Sequence, residues 1–268
     1  MKLKSPYLVR PDSKVNLRKW KTDDKGAFAS EDETKPVLAK HRKALETLQE
    51  VLYAGSEKAV LVVLQGMDTA GKDGTIRSIF DGVNPQGCTV TSFKVPTPLE
   101  ARHDFLWRCH AAVPPLGTIG VFNRSHYEDV LSPRVHDKMD KKTAHAHMDQ
   151  INDFEAMLTA NGVTILKFFL HISQEEQTAR LQARIDEKDK HWKLSPADFT
   201  ERKFWPDYQA AYEDVFERTS TADAPWFVIP ADHKWFRTVA ISTILVDAMQ
   251  RMKLKYPVST VDVSTLKL

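Results

Sequence analysis

No stretch of the 268-residue sequence is apolar over the ~20 residues that a membrane-spanning helix needs. The start, MKLKSPYLVRPDSKVNLRKW, is basic but lacks the apolar core of a secretory signal. Cysteine is scarce: Cys88 and Cys109 are the two present, without metal-type spacing, which excludes a disulfide scaffold and points to a reducing compartment. Excess charge of one sign is also missing. Lys plus Arg number 38 and Asp plus Glu 36, a net of +2, so a general grip on nucleic acid is not expected and any anion site must be local. Internal repeats and low-complexity tracts are absent. Neither nucleic acid nor membrane is expected as a partner, and the cytoplasm is the expected location.

What is present suits a globular protein. The chain is 42% hydrophobic and 28% charged, enough to build a core and remain dissolved. Its length fits one embellished domain. Residues 1–34 read as a polar, Pro-containing arm on a surface. Residues 35–54 carry Leu38, Leu45, Leu48, Val51 and Leu52 at helical spacing and predict an amphipathic helix. The run 59–64, AVLVVL, is apolar on both faces, as a central parallel strand is. Similar runs follow at 88–95, 118–122, 163–172 and 225–230, with helical patterns at 98–112, 143–161 and 236–252. Alternation of this kind predicts an α/β fold with a parallel sheet. A charged insert, 173–222, reads as helical, and a loosely ordered tail fills 253–268. One domain over 35–252 is thus expected.

The sharpest motif is Gly66-Met67-Asp68-Thr69-Ala70-Gly71-Lys72-Asp73-Gly74, a G-x4-G-K match between a predicted strand and a predicted helix. Glycines let successive N–H groups converge on phosphate oxygens, and a helix N-terminus adds positive dipole. Lys72 can set a point charge on a transferring phosphoryl group. The hydroxyl residue that normally follows the Lys, and helps hold Mg²⁺, is replaced by Asp73, so Asp68 and Asp73 offer carboxylates instead. After the third strand stand Asn123, Arg124 and, five positions beyond Asn123, Glu128. Strand ends of this kind gather chemistry in open α/β sheets. Arg124 is a candidate for offsetting negative charge, and Glu128 for supplying the carboxylate that Asn123 cannot. In the insert, Arg180, Arg184 and Lys188 recur every four residues and predict a cationic stripe on a closing lid. Lys94, Arg102, Arg108 and Arg134 lie near the expected cleft. His145 and His147, two apart on a helix, point away from each other and do not read as a metal pair. Phe204 to Tyr208 reads as helix packing.

The runs GMDTAGKDG, SFKVPTPLE, HDFLWR, FNRSHYEDVLSPRVH, KHWKLSPAD and DAPWFVIPADHKWF, in this order over about residues 35–250, resemble the polyphosphate kinase type 2 family. The resemblance implies a P-loop kinase core like that of thymidylate kinase, with a helical lid. It implies Mg²⁺-dependent, reversible phosphoryl transfer from inorganic polyphosphate to a nucleotide, and a homo-oligomer. It places Asp68 and Lys72 in the family's Walker A loop, with Thr69, Ala70, Asp73 and the loop glycines around the phosphate. Arg124 falls in its strand-end motif and Arg184 in its lid; Arg108 and Arg134, from their place near the expected cleft rather than from the resemblance, are candidates for contact with a polyanion. Many members read F-D-R-S-x-Y-N where this chain has Phe122-Asn123-Arg124-Ser125-His126-Tyr127-Glu128. That variant resembles the subgroup that phosphorylates both AMP and ADP, and it leaves the metal ligands open among Asp68, Glu128 and Asn123. Two other readings stay open on sequence alone: an ATP-dependent nucleotide or small-molecule kinase, and a non-enzymatic module that binds polyanion or nucleotide.

Overall fold

The computed structural model describes residues 3–261 and 266. Five strands form one parallel sheet: β1 (Ala59–Gln65), β2 (Cys88–Ser92), β3 (Ile119–Asn123), β4 (Val163–His171) and β5 (Trp226–Pro230), in the order β2-β3-β1-β4-β5. β1 lies at the centre and is buried along its whole length, which explains its unbroken Val and Leu content. The helices α1 (Glu31–Gly55), α2 (Lys72–Ile79) and α9 (Lys234–Arg251) belong to one side. There Val60, Val62 and Leu64 share a core with Leu45, Ile79 and Ile241. On the other face Leu61 and Val63 share a core with residues of α4 (Glu128–Val135), α5 (Lys141–Ala160) and α8 (Trp205–Thr219). Odd and even residues of one strand thus serve two different cores. The strand order reverses at β1, so the crevice beyond the carboxyl ends of β1 and β3 is where a ligand belongs.

Several boundaries move from their expected places. The first helix begins at Glu31, with three acidic residues in its first turn, rather than at 35. The helix expected over 98–112 is broken. A 3₁₀ turn covers Glu100–Arg102, the Asp104 carboxylate accepts the Leu106 N–H (3.0 Å), and only α3 (Trp107–His110) is helical thereafter. The N-terminal arm is not a loose surface strap. Val9 and Leu17 are buried, Val9 N–H donates to the Trp226 carbonyl (2.9 Å), and the Val228 N–H donates to the Tyr7 carbonyl (2.9 Å). The arm thereby covers the β5 edge that would otherwise present unpaired groups.

The insert 173–222 is likewise not one exposed element. It holds α6 (Gln174–Asp186), a 3₁₀ turn at Lys188–Lys193, α7 (Pro196–Glu201), a further 3₁₀ turn and α8. Ala211, Tyr212, Val215 and Phe216 of α8 lie in the main core, and Gln177, Arg180 and Leu181 of α6 are buried. The stretch between them stands outside the core apart from Phe204, which packs against it. Of the tail, residues 262–265, 267 and 268 lie outside the described residues.

Candidate active site

The loop 66–71 follows the end of β1, where the chain must turn sharply to enter α2. Gly66 has φ 153°, and a Cβ there would sit 2.9 Å from the Leu170 carbonyl oxygen. Thr69 (φ 67°) and Gly71 (φ 101°) are also left-handed, so the loop curls back on itself. Gly71 is the N-cap of α2 and gives it no side-chain cap. The first N–H groups of α2 have no partner within the helix, and they open toward the crevice with the positive end of its dipole.

Lys72 is 9% exposed and folds along this loop, donating from Nζ to the Gly66 carbonyl (2.7 Å) and to that of Met67 (3.4 Å). Burial first, and then the charge of Arg124, pull its pKa down to about 8, against the opposing pull of Asp68, Glu128 and Asp73. Arg124, in the left-handed region at φ 62°, is held at the end of β3 by its N–H bond to the Leu64 carbonyl (3.0 Å). Its guanidinium bridges two acids: Nη2 donates to Asp68 Oδ1 (2.6 Å) and Nη1 to Glu128 Oε2 (3.4 Å). Burial opposes its charge, but Glu128 and Asp68 together raise its pKa above the ordinary arginine range. Asn123 donates from Nδ2 to Asp73 Oδ1 (2.6 Å). The loop and the strand-end turn, remote in sequence, thus meet as Asp68, Lys72, Asp73, Asn123, Arg124 and Glu128.

Beneath the turn lies a buried ionic network. Glu155 of α5 accepts from Lys167 Nζ (2.5 Å) and from the Tyr127 hydroxyl (2.9 Å), and lies 3.2 Å from His126 Nε2. Lys167 also donates to Tyr127 Oη (2.9 Å) and the Thr219 carbonyl (2.7 Å). Burial alone would raise the Glu155 pKa, but Lys167 and His126 bring it below the usual carboxylate value.

The remaining predicted cations stand elsewhere. Arg184 donates to Asp198 Oδ2 (3.0 Å) and the Lys193 carbonyl (3.3 Å), tying α6 to α7. Burial and Asp68 raise the Asp198 pKa against the pull of Arg184 and Arg124. Arg108 is buried and donates to Asp129 Oδ2 and the Lys94 carbonyl (2.8 Å each). Arg134 donates to Asp214 Oδ2 (2.6 Å), an acid it shares with His145 (3.0 Å). Neither Arg108 nor Arg134 bonds to the loop.

The cations of the expected Arg180–Arg184–Lys188 lid stripe do not act as one set: Arg184 bonds to α7, while Arg180 turns to the loop. Arg180 is buried and donates to the carbonyls of Thr69 and Ala70 (2.9 Å each), and to those of Ala231 (2.6 Å) and Asp232 (3.1 Å). Arg237 of α9 reaches the same Ala70 carbonyl (3.0 Å). Sequence reasoning missed both of these loop contacts. Arg237 sits on a face that otherwise reads Phe236, Val239, Ala240 and Ile241, and a charge inside that run was the available signal.

For a divalent cation the donors here are hard oxygens: two carboxylates flanking one guanidinium, with Asp73 and Asn123 beside them. Among the described residues no group of three or more His, Cys, Asp and Glu side chains forms a cage. The set fits magnesium, which commonly takes one or two carboxylates and completes its shell with phosphate oxygens and water.

The family model for polyphosphate kinase 2 matches residues 28–257. An AMP/ADP-polyphosphate phosphotransferase of Meiothermus ruber is 48% identical over 252 residues, covering 94% of each chain. An ADP-polyphosphate phosphotransferase of Rhodopseudomonas palustris is 43% identical over 273 residues, covering 97% of this chain and 94% of the relative. The crystal structure of polyphosphate kinase 2 from Arthrobacter aurescens TC1 superposes with a TM-score of 0.91 at 41% identity, over 96% of this chain and 95% of that one.

Proposed function

The chain belongs to the polyphosphate kinase 2 family, and from that premise we propose that it transfers a phosphoryl group reversibly between inorganic polyphosphate and AMP or ADP. The observation that carries this reading is the curled loop 66–74 with its uncapped helix start, whose Asp68 is bridged to Glu128 by Arg124 from the turn after the neighbouring strand.

The chemistry asks little of a nucleophilic side chain, because the acceptor phosphate is already anionic. Its oxygen attacks the terminal phosphorus of the polyphosphate in line. A new P–O bond forms, the bond to the next phosphate breaks, and the shortened chain keeps the electron pair as a terminal oxyanion. The backbone N–H groups of Gly71, Lys72 and Asp73 hold the phosphate. Lys72 leaves the Gly66 carbonyl and turns its charge onto the transferring group. Arg124 and Arg184 offset charge in the transition state, Arg124 by exchanging an acid for a phosphate oxygen. Asp68, with help from Glu128, would hold magnesium, which when bound would neutralise and orient phosphate oxygens. Lid closure is assigned to the stretch 187–204, because its two flanks are built into the core. The location proposed is the cytoplasm and the assembly a homo-oligomer.

The donor is tested by replacing polyphosphate with ATP in an AMP assay. Product with polyphosphate and none with ATP supports the reading; turnover with ATP alone favours an ordinary nucleotide kinase. The exchange of Asp and Asn for Asn123 and Glu128 moves a carboxylate one turn along the chain. We read this as letting acceptors of either length reach the donor. Glu128→Asn should then lower the rates with AMP and with ADP unequally, and equal losses would contradict it.

A further inference from the structure

We propose that Arg237 is a positioning residue for phosphate, acting through the main chain of the loop without touching the ligand: a buried charge left unneutralised by the protein so that a bound phosphate neutralises it. The inference rests on the reading of residues 66–74 as a phosphate loop.

The first observation is charge. Arg237 is 3% exposed, and among the described residues it has no carboxylate within ion-pair distance. Its neighbour Arg180 is paired to Glu176 (2.7 Å), so of the two guanidiniums only Arg180 has a counter-ion among the described residues. Burial and the charge of Arg180 both press the Arg237 pKa down, and no acid opposes them. Arg237 Nε is buried with no hydrogen-bond partner. A buried cation without a counter-ion burdens a fold unless something else compensates it.

The second observation is direction. Arg237 and Arg180 both donate to the Ala70 carbonyl (3.0 and 2.9 Å). A trans peptide is planar, with its C=O and N–H opposed. Fixing the Ala70 oxygen on the side of the arginines therefore turns the Gly71 N–H to the opposite side. Two cations on that oxygen also polarise the peptide and strengthen its N–H as a donor. The loop sequence fits the arrangement: a Cβ at Gly71 would overlap Arg237 Nη1, so the glycine admits the arginine as well as the left-handed backbone.

The test uses Arg237→Met and Arg237→Lys in the full-length enzyme, with thermal melting of the empty protein and calorimetric titration with inorganic tripolyphosphate. The Met variant is expected to melt at or above the wild-type temperature when empty. Its dissociation constant for tripolyphosphate is expected to rise about tenfold, the order for one unit charge acting across a partly shielded site. The Lys variant, which keeps the charge, should fall between the two. A Met variant that binds as wild type does, or that melts lower or fails to fold when empty, overturns the inference. A Lys variant as weak as the Met variant overturns its electrostatic part. If wild type binds no tripolyphosphate, the phosphate-loop reading fails together with it; wild-type binding with an unaffected variant sinks this inference alone.

Discussion

Lys72 carries an opposition between stability and function in a single side chain. Its pKa is drawn down to about 8 in the folded protein and returns to its ordinary value in the unfolded chain. Between those two values the unfolded chain binds more protons, so stability contributed at this site rises with pH from about 8 upward. Below that range the folded protein bears the cost of a buried cation. Lys72→Met should therefore stabilise the empty enzyme at pH 7, by up to about 3 kcal/mol, and the gain should shrink as the pH passes 8. Chemical denaturation of both proteins at pH 7 and pH 9.5 checks this; a variant less stable than wild type at pH 7 contradicts it. Activity goes the other way, because a neutral amine cannot stabilise phosphoryl charge. The apparent kcat/KM for polyphosphate should fall above about pH 8. Arg124 is a sharper case, since it is bound to Asp68 and Glu128 together. Arg124→Ala should cost 10²–10³-fold in kcat, the order for removing one preorganised donor.

Among the elements, the strand-end turn owes its shape to the network under it. Lys167 interrupts the apolar β4 at a fully buried position, and its charge is answered by Glu155 from α5. Glu155→Gln leaves that lysine uncompensated and should cost about 3–5 kcal/mol, whereas replacing both with Met removes the charge and should cost less, the remainder being the partners lost by Tyr127, His126 and the Thr219 carbonyl. Urea denaturation of the three proteins decides between these and a network of no energetic weight. The pair was invisible in the sequence because its partners lie on different elements and periodicity reports faces, not partners. The sequence did expose what is local. β1, the loop and the start of α2 are continuous, so apolar run, glycines and lysine appear side by side. Asn123, Arg124 and Glu128 were legible because strand ends face one crevice. The broken 98–112 helix was not, because Asp104 competes for backbone N–H groups in a way that apolar spacing cannot register. Arg180 misled for a similar reason: an i, i+4 stripe says which cations share a face, not that the face at that turn lies against the loop.

Across the whole molecule, the N-terminal arm closes the sheet at β5 and braces α8. Leu17 N–H donates to Glu213 (2.7 Å), Val15 N–H to Glu217 (2.9 Å) and Ser220 Oγ to the Val9 carbonyl (2.7 Å). Deleting residues 1–18 exposes the β5 edge together with two fully buried side chains. It should lower the melting temperature by about 10 °C, from roughly 1.5–3 kcal/mol per side chain. A truncated protein that melts as the full chain does would show the arm to be dispensable. The loop after β1 is proposed to hold the phosphate chain, with Arg124 and Glu128 from the turn after β3 beside it. Phosphorus NMR of AMP, polyphosphate and magnesium with the enzyme tests it most directly. β- and then γ-phosphate signals should grow at the expense of polyphosphate, at a rate at least ~10²-fold lower with Lys72→Ala. Nucleotide signals that stay unchanged with wild type, or that grow equally fast with Lys72→Ala, would contradict it.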